Sequence, residues 1–241
     1  MTVLYPAALM GGKTVLYAEV GAALSTPWRT AQLRSVVLPD PVKVELGYQG
    51  GKMVTVFEAQ APDDLAADWR GRSENATVRG LPAWRREIGP QGFQDVRLET
   101  LLKWVAGACG GQIDVNVQGR PQRHYQVRRG PAHRVVQEAL SAWRVEAALI
   151  ELDGGVLHVG PESRSPHAAA GVQAQLVQGR NLYEVSDVGG GRYRLALPGM
   201  AWLRVAHRVT VKHDLVQGRV RITDVVHRWA GPGRTWLEVV T

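Results

Sequence analysis

Along residues 1–94 apolar and polar positions alternate in short runs, Val15-Leu16-Tyr17, Ser35-Val36-Val37-Leu38, Val42-Lys43-Val44-Glu45-Leu46 and Met53-Val54-Thr55-Val56-Phe57. Turn-forming groups at Gly11-Gly12, Pro39-Asp40-Pro41 and Gly50-Gly51 separate them. The period of two in Val42, Val44 and Leu46 turns one strand face toward a core. Residues Ala61 to Arg79, with Pro62-Asp63-Asp64 and Ser73-Glu74-Asn75, fit either a long surface loop or a short helix. From Asp95 the period changes. Leu98, Leu101, Leu102, Val105, Ala106 and Cys109 fall on a single helical face, and Gly110-Gly111 ends that helix. Ile113 to Val117 alternates as a strand, and Gly119-Arg120-Pro121 is a loop. A second helix starts at Pro131 and turns Val135, Val136, Ala139, Leu140 and Trp143 inward. Ala147 to Leu152 and Val156 to Val159 flank Asp153-Gly154-Gly155, a hairpin signal.

Gly160 to Ala170 has no periodicity and reads as a linker. Strands then return at Val172 to Val177, Tyr183 to Val185, Arg192 to Leu197, Leu203 to Val211, Arg219 to Trp229 and Thr235 to Val240. The expected fold class is α+β, mainly β. Two small antiparallel β-barrel-like domains, residues 1–94 and 161–241, flank a helix–strand–helix–hairpin insert at residues 95–160.

Composition adds limits. The 241 residues are 45% hydrophobic and 21% charged, which excludes collagen-like, coiled-coil and wholly disordered chains. No stretch is apolar for the length of a membrane span, and the N-terminus lacks the basic start and apolar run of a signal peptide. The expectation is a soluble protein made in the cytoplasm, without stable membrane association. A single cysteine, Cys109, forbids an intrachain disulfide and any multi-cysteine metal site. The net charge is +7, with 24 Arg and 5 Lys spread along the chain rather than in runs. A solvated arginine-rich surface accounts for this, and arginine suits both protein interfaces and phosphate contacts.

No constellation for chemistry stands out. The seven histidines at 124, 133, 158, 167, 207, 213 and 227 form no HExxH or Cys/His cluster. Strict alternation would put His207 and His213 on one strand face, where metal ligation competes with the simpler role of satisfied strand histidines. Asp63-Asp64 with Asp68, or Glu138 with Glu146, lacks the context of a catalytic carboxylate pair. Gly189-Gly190-Gly191-Arg192 runs into a strand and reads as a hairpin loop, not a phosphate cradle. Cys109 belongs to a buried helix face, and the Asn75-Ala76-Thr77 sequon carries no meaning in a cytoplasmic product. Eight tryptophans, several beside arginine as in Trp28-Arg29 and Arg228-Trp229, are scattered and suit core packing, subunit interfaces or base stacking. No catalytic, cofactor-binding or metal-ligating residue is assigned, and no enzymatic activity is expected.

Two stretches carry a family likeness. The first is Leu98 to Ala106 through Gly110, then Val135 to Trp143 and the Asp153-Gly154-Gly155 hairpin. The second is Leu197-Pro198-Gly199-Met200 leading to Val205, Val209 and Val211, then Gly218 to His227 and Trp236 to Val239. In this order the chain resembles the baseplate hub proteins of contractile phage tails, the late-control D type and its relatives. The resemblance covers about 140 residues in pattern, without a catalytic signature, and leaves the first domain to analogy. It implies a structural virion protein: a homotrimer whose two β domains per chain form a pseudo-sixfold ring between the hexameric tail tube and the trimeric central spike. The tape-measure protein, and DNA transiently, would occupy the lumen. Two alternatives remain open, a nucleic-acid-binding protein using basic charge and Trp/Arg pairs, and a cell-wall hydrolase of a tail tip.

Overall fold

The computed structural model describes residues 6–34, 41–48, 51–59 and 76–241. A first stretch, residues 6–79, supplies strands β1 (Pro6–Met10), β2 (Lys13–Thr14), β3 (Tyr17–Ala23), β4 (Thr30–Arg34), β5 (Val42–Tyr48), β6 (Val54–Ala59) and β7 (Ala76–Arg79). Next come β8 (Glu87–Ile88), β9 (Gln91–Val96), α1 (Leu98–Cys109), β10 (Gln112–Val115), β11 (Gln122–Val127), β12 (Gly130–Pro131), α2 (Ala132–Trp143), β13 (Ala148–Glu151) and β14 (Val156–Gly160). The chain continues through α3 (Pro166–Ala169), β15 (Val172–Val177), β16 (Glu184–Gly189), β17 (Arg192–Pro198), β18 (Arg208–His213), β19 (Val216–Trp229) and β20 (Arg234–Val240).

The helices form where apolar spacing asked for them. All six residues picked out on α1 are buried, and Gly110 caps its end at φ 73, a left-handed angle that glycine adopts without strain. On α2, Val135, Val136, Ala139 and Leu140 are buried and Trp143 is half-buried. Pro131 stands at the N-cap, one residue before the first helical turn, because its backbone also pairs with Glu87 in the β8–β12 bridge. Both helices pack with β10, β14 and the β9–β11 pair around one core that includes Trp84.

The fold is α+β and mainly β. A four-stranded antiparallel sheet runs β2-β1-β5-β6. A nine-stranded sheet runs β16-β17-β20-β19-β3-β4-β7, with β18 on the first half of β19 and β15 parallel to β18. Among the described residues no sheet closes into a barrel. The reason lies in β19. It is 14 residues long, and the six residues of β18 cover only its first half. The other half, Asp224–Trp229, exposes an unpaired edge, which β3 from the start of the chain takes up.

Several expected boundaries move. Val15 and Leu16 lie between β2 and β3. Leu203 to His207 is a turn with Ala206 at φ 66, so the strand expected from Leu203 begins at Arg208. The supposed linker contains a 3-10 turn at Glu162–Arg164 and α3, capped by the Ser165 hydroxyl accepting from the Ala168 N–H, with Ser165 and His167 buried. Ser35 to Leu38 and residues 60–75, with Asp63, Asp64, Asp68 and Trp69, lie outside the described residues. Ala76–Arg79 is strand, not loop or helix.

Trp229 joins the first-stretch core to the nine-stranded sheet. Its indole N–H donates to the Gly47 carbonyl at 3.1 Å, and it packs with Ala8, Val44 and Phe57. Gly199 and Gly233 form the floor beneath the ring, where a Cβ would stand 2.6 and 2.7 Å from ring carbons. Gly199→Ala is therefore expected to lower stability by about 1–3 kcal/mol through overpacking. Gly92→Ala, which meets open space, is the neutral control, and urea unfolding midpoints distinguish the two.

Candidate functional site

The densest polar constellation lies where the three cores meet, with Arg29, Glu151 and Arg204 buried and the Asp153 carboxylate exposed at its edge. Arg29 enters from the loop before β4, Glu151 ends β13, Asp153 opens the following hairpin, and Arg204 lies in the turn before β18. The backbone N–H of Arg29 donates to Glu151 Oε2 at 2.6 Å. Gly80 lies against that carboxylate, and any Cβ there would collide with it at 2.2 Å. The Arg29 guanidinium donates to the carbonyls of Val56 and Glu151 at 3.1 Å each and meets Asp153 Oδ1 at 2.8 Å. Arg204 reaches the same Oδ1 through Nε at 3.1 Å and donates to the carbonyls of Thr55, Ala201 and Leu203. Both arginines are almost wholly buried, and their donors are taken by fixed carbonyls and one carboxylate.

Three histidines surround this group. His167 donates from Nδ1 to the Val205 carbonyl at 3.2 Å, and its ring meets that of His207 edge-on at 5.1 Å. His207 Nδ1 accepts from the Arg204 N–H at 3.1 Å. His227 donates from Nε2 to the Leu203 carbonyl at 3.0 Å and contacts the Thr235 hydroxyl through Nδ1 at 3.1 Å; that hydroxyl in turn accepts from the Met200 N–H. Each imidazole is thus satisfied as a neutral ring.

Titration follows from this packing. Burial, aided by Arg29, holds His167 down to about 4. Burial and the neighbouring His167 take His207 to about 4, and burial with Arg204 takes His227 to about 3. Burial pushes Glu151 up to about 7, although the Arg29 charge and N–H oppose it. Burial acts upward on Asp153 too, but the charges of Arg204 and Arg29 outweigh it and bring that carboxyl down to about 2.

A cleft of about 270 Å³ opens beside this group, rimmed by Lys43, Glu58, Gly154 and Gly155. Since carbonyls occupy the guanidinium donors, the cluster serves as a brace between segments.

The other residues singled out above are dispersed. His207 precedes β18, so strand alternation does not place it with His213, which accepts from the Leu215 N–H. Among the described residues no group of three or more His, Cys, Asp or Glu is placed to hold a metal. Glu138 and Glu146 are exposed. Cys109 is buried, and burial pushes its thiol up. Gly189-Gly190-Gly191 forms the β16–β17 hairpin, each residue at positive φ. His158 pairs with Asp114 at 2.7 Å, brought opposite it by the parallel register of β10 and β14. The sequence reading missed Arg29, Glu151 and Arg204. Their available signal was a charged residue interrupting an apolar run, as Glu151 does between Ile150 and Leu152.

The pH dependence has a definite sign. Below about pH 6.5 the unfolded chain protonates these histidines while the folded chain refuses the proton until about pH 4. Their contribution is full above 6.5 and is lost as pH falls. Glu151 acts oppositely, contributing fully below 4.5 and losing its contribution as pH rises through about 7. Three histidines against Glu151 and Glu162, whose carboxyl burial also raises, predict a melting temperature that falls from pH 6.5 to 4.5. The fall should be shallower in His167→Gln and steeper in Glu151→Gln, as calorimetry across that range would read.

No family model matches the chain, and no curated protein matches its sequence. Solved structures do match its fold. The prophage MuSo2 43 kDa tail protein from Shewanella oneidensis aligns at TM-score 0.67 and 12% identity, covering 98% of this chain and 97% of that one. A tail protein from Neisseria meningitidis aligns at 0.66 and 10%, covering 100% and 97%. An Escherichia coli component of the type VI secretion system, itself structurally similar to the bacteriophage T4 tail proteins gp27 and gp5, aligns at 0.63 and 9%, covering 97% and 76%. Across its whole length, this chain therefore has the fold of phage-tail and type VI secretion tail proteins.

Proposed function

We propose that the chain is a structural component of a phage or phage-like tail, and that three copies form the central baseplate hub between the hexameric tail tube and the trimeric spike. The observation that carries this reading is the whole-length likeness to two tail proteins, together with a secretion-system relative similar to the T4 tail proteins gp27 and gp5. The protein acts by shape and assembly, without a cofactor or reaction of its own. Its partners are other copies of itself, the tube protein, the spike and the tape-measure protein in the lumen, and its place is the virion tail.

Symmetry supports the proposal. A three-fold ring is a closed heterologous assembly in which each subunit offers two different patches. Meeting a six-fold tube requires two comparable regions per subunit. The division at 1–94, 95–160 and 161–241 supplies candidates, since β1, β2, β5 and β6 build a sheet of their own while six strands of the nine-stranded sheet come after residue 170 and β3, β4 and β7 join it from the first segment.

The mass of the purified protein in solution tests this. A trimer, or a monomer that trimerises when its spike partner is added, is expected; a stable dimer would overturn the hub.

A further inference from the structure

The outer face of the nine-stranded sheet concentrates positive charge. Register puts Arg192 of β17, Val240 of β20, Arg221 of β19 and Arg208 of β18 in one cross-strand row. Arg194 stands opposite Glu238 in the next row, and Arg219 stands opposite Thr210. Arg228 follows on β19, opposite Glu19 of β3. Seven arginines, Arg234 of β20 included, thus lie on this face, against Glu19, Glu184, Asp224 and Glu238 of the sheet and Glu162 beside Arg221. Twice the fold sets like charges directly opposite each other, Arg208 with Arg221 and Arg228 with Arg234. Such pairs destabilise a sheet. A merely solvated face has no need of them.

The carboxylates orient these arginines without using up their charge. Glu238 pairs with both Arg192 and Arg194, Glu19 with Arg228, and Glu162 with Arg221, while those four arginine side chains remain 46–61% exposed. Each fork keeps donors free for a second anion. Arg208, Arg219 and Arg221 line a depression of about 330 Å³ beside Val240 and Thr241, a volume that admits a phosphate.

We infer that this face binds the phosphodiester backbone of duplex nucleic acid, without reading its sequence. An acidic protein is the competing occupant, and the charge of the face decides between them. The rings on this face are capped by cations, Trp236 under Arg228 at 5.0 Å and Tyr183 under Arg234 at 4.9 Å; of the exposed large apolar residues, Val172 opposite Arg208 and Val188 of β16 flank the face, while Leu16, Trp202 and Leu215 sit in turns. Covered rings disfavour base stacking, which leaves the backbone as the ligand. Interfaces with nucleic acid are far more positive than those between proteins. The inference rests on this face alone and holds for a monomer or a ring.

The test is fluorescence anisotropy of the full chain with a labelled duplex of arbitrary sequence. With about four phosphate contacts, affinity should fall about 100-fold between roughly 50 and 200 mM salt. Arg208→Gln and Arg219→Gln should each weaken binding and lower the salt slope by about one, while Arg134→Gln on the exposed side of α2 should change neither. Arg219 is exposed, and its loss leaves no carboxylate without its arginine, so that variant should fold. Absence of binding at low salt, or equal loss in Arg134→Gln, overturns the inference. A poly-glutamate of matched charge that displaces the duplex at equal concentration also overturns it, and assigns the face to an acidic protein. The mass measurement above can fail independently of all these outcomes.

Discussion

One carboxylate oxygen, Oδ1 of Asp153, holds two buried guanidinium groups that would otherwise repel each other. Arg29, Asp153 and Arg204 come from three separate parts of the chain, and each arginine also bonds carbonyls of the first stretch, at Val56 or Thr55. Apolar residues of equal volume could match such a group in stability. What it adds is register. A guanidinium fork accepts its partners in one geometry, so the hairpin after β13, the turn before β18 and the edge of the four-stranded sheet can meet in only one way. The neutral histidines beside it fit the same logic, since a further positive charge there would oppose both arginines.

The helical and hairpin parts of the fold were legible because their signals are local. Leu98, Leu101, Leu102, Val105, Ala106 and Cys109 make a stripe that only a helix can bury, and Asp153-Gly154-Gly155 makes a turn wherever it occurs. The junction was not legible. Arg29 and Glu151 are 122 residues apart, and nothing near either one names the other. The edge that β3 fills was hidden for a related reason. β3 reads Tyr-Ala-Glu-Val-Gly-Ala-Ala, with small residues where a β-branched run would have announced a strand. β4 did carry its alternation, with Ala31 and Leu33 buried between exposed neighbours, but the run was too short to be noticed.

The overall basic charge looked evenly spread along the chain, and pairing across strands gathers part of it onto one face. Residues distant in sequence, such as Arg192 and Arg208, become neighbours in a row only through β19 and β20. Composition alone therefore understated the asymmetry of the surface. In a protein whose proposed work is assembly around a lumen, which side of a sheet carries the arginines matters more than their total.

The late arrival of β19 has a consequence for how the molecule is made. Glu19 and Arg228, neighbours across β3 and β19, are separated by 209 positions. At roughly 5–20 residues per second, a ribosome takes on the order of 10–40 s to produce the strand that β3 needs. Throughout that interval the nascent chain presents an open backbone edge, while α1, α2 and the hairpin after β13 have all they require to collapse as soon as they emerge. β1 and β2 can close their sheet with β5 and β6 early, but β3, made near the start, completes its pairing only when β19 has emerged.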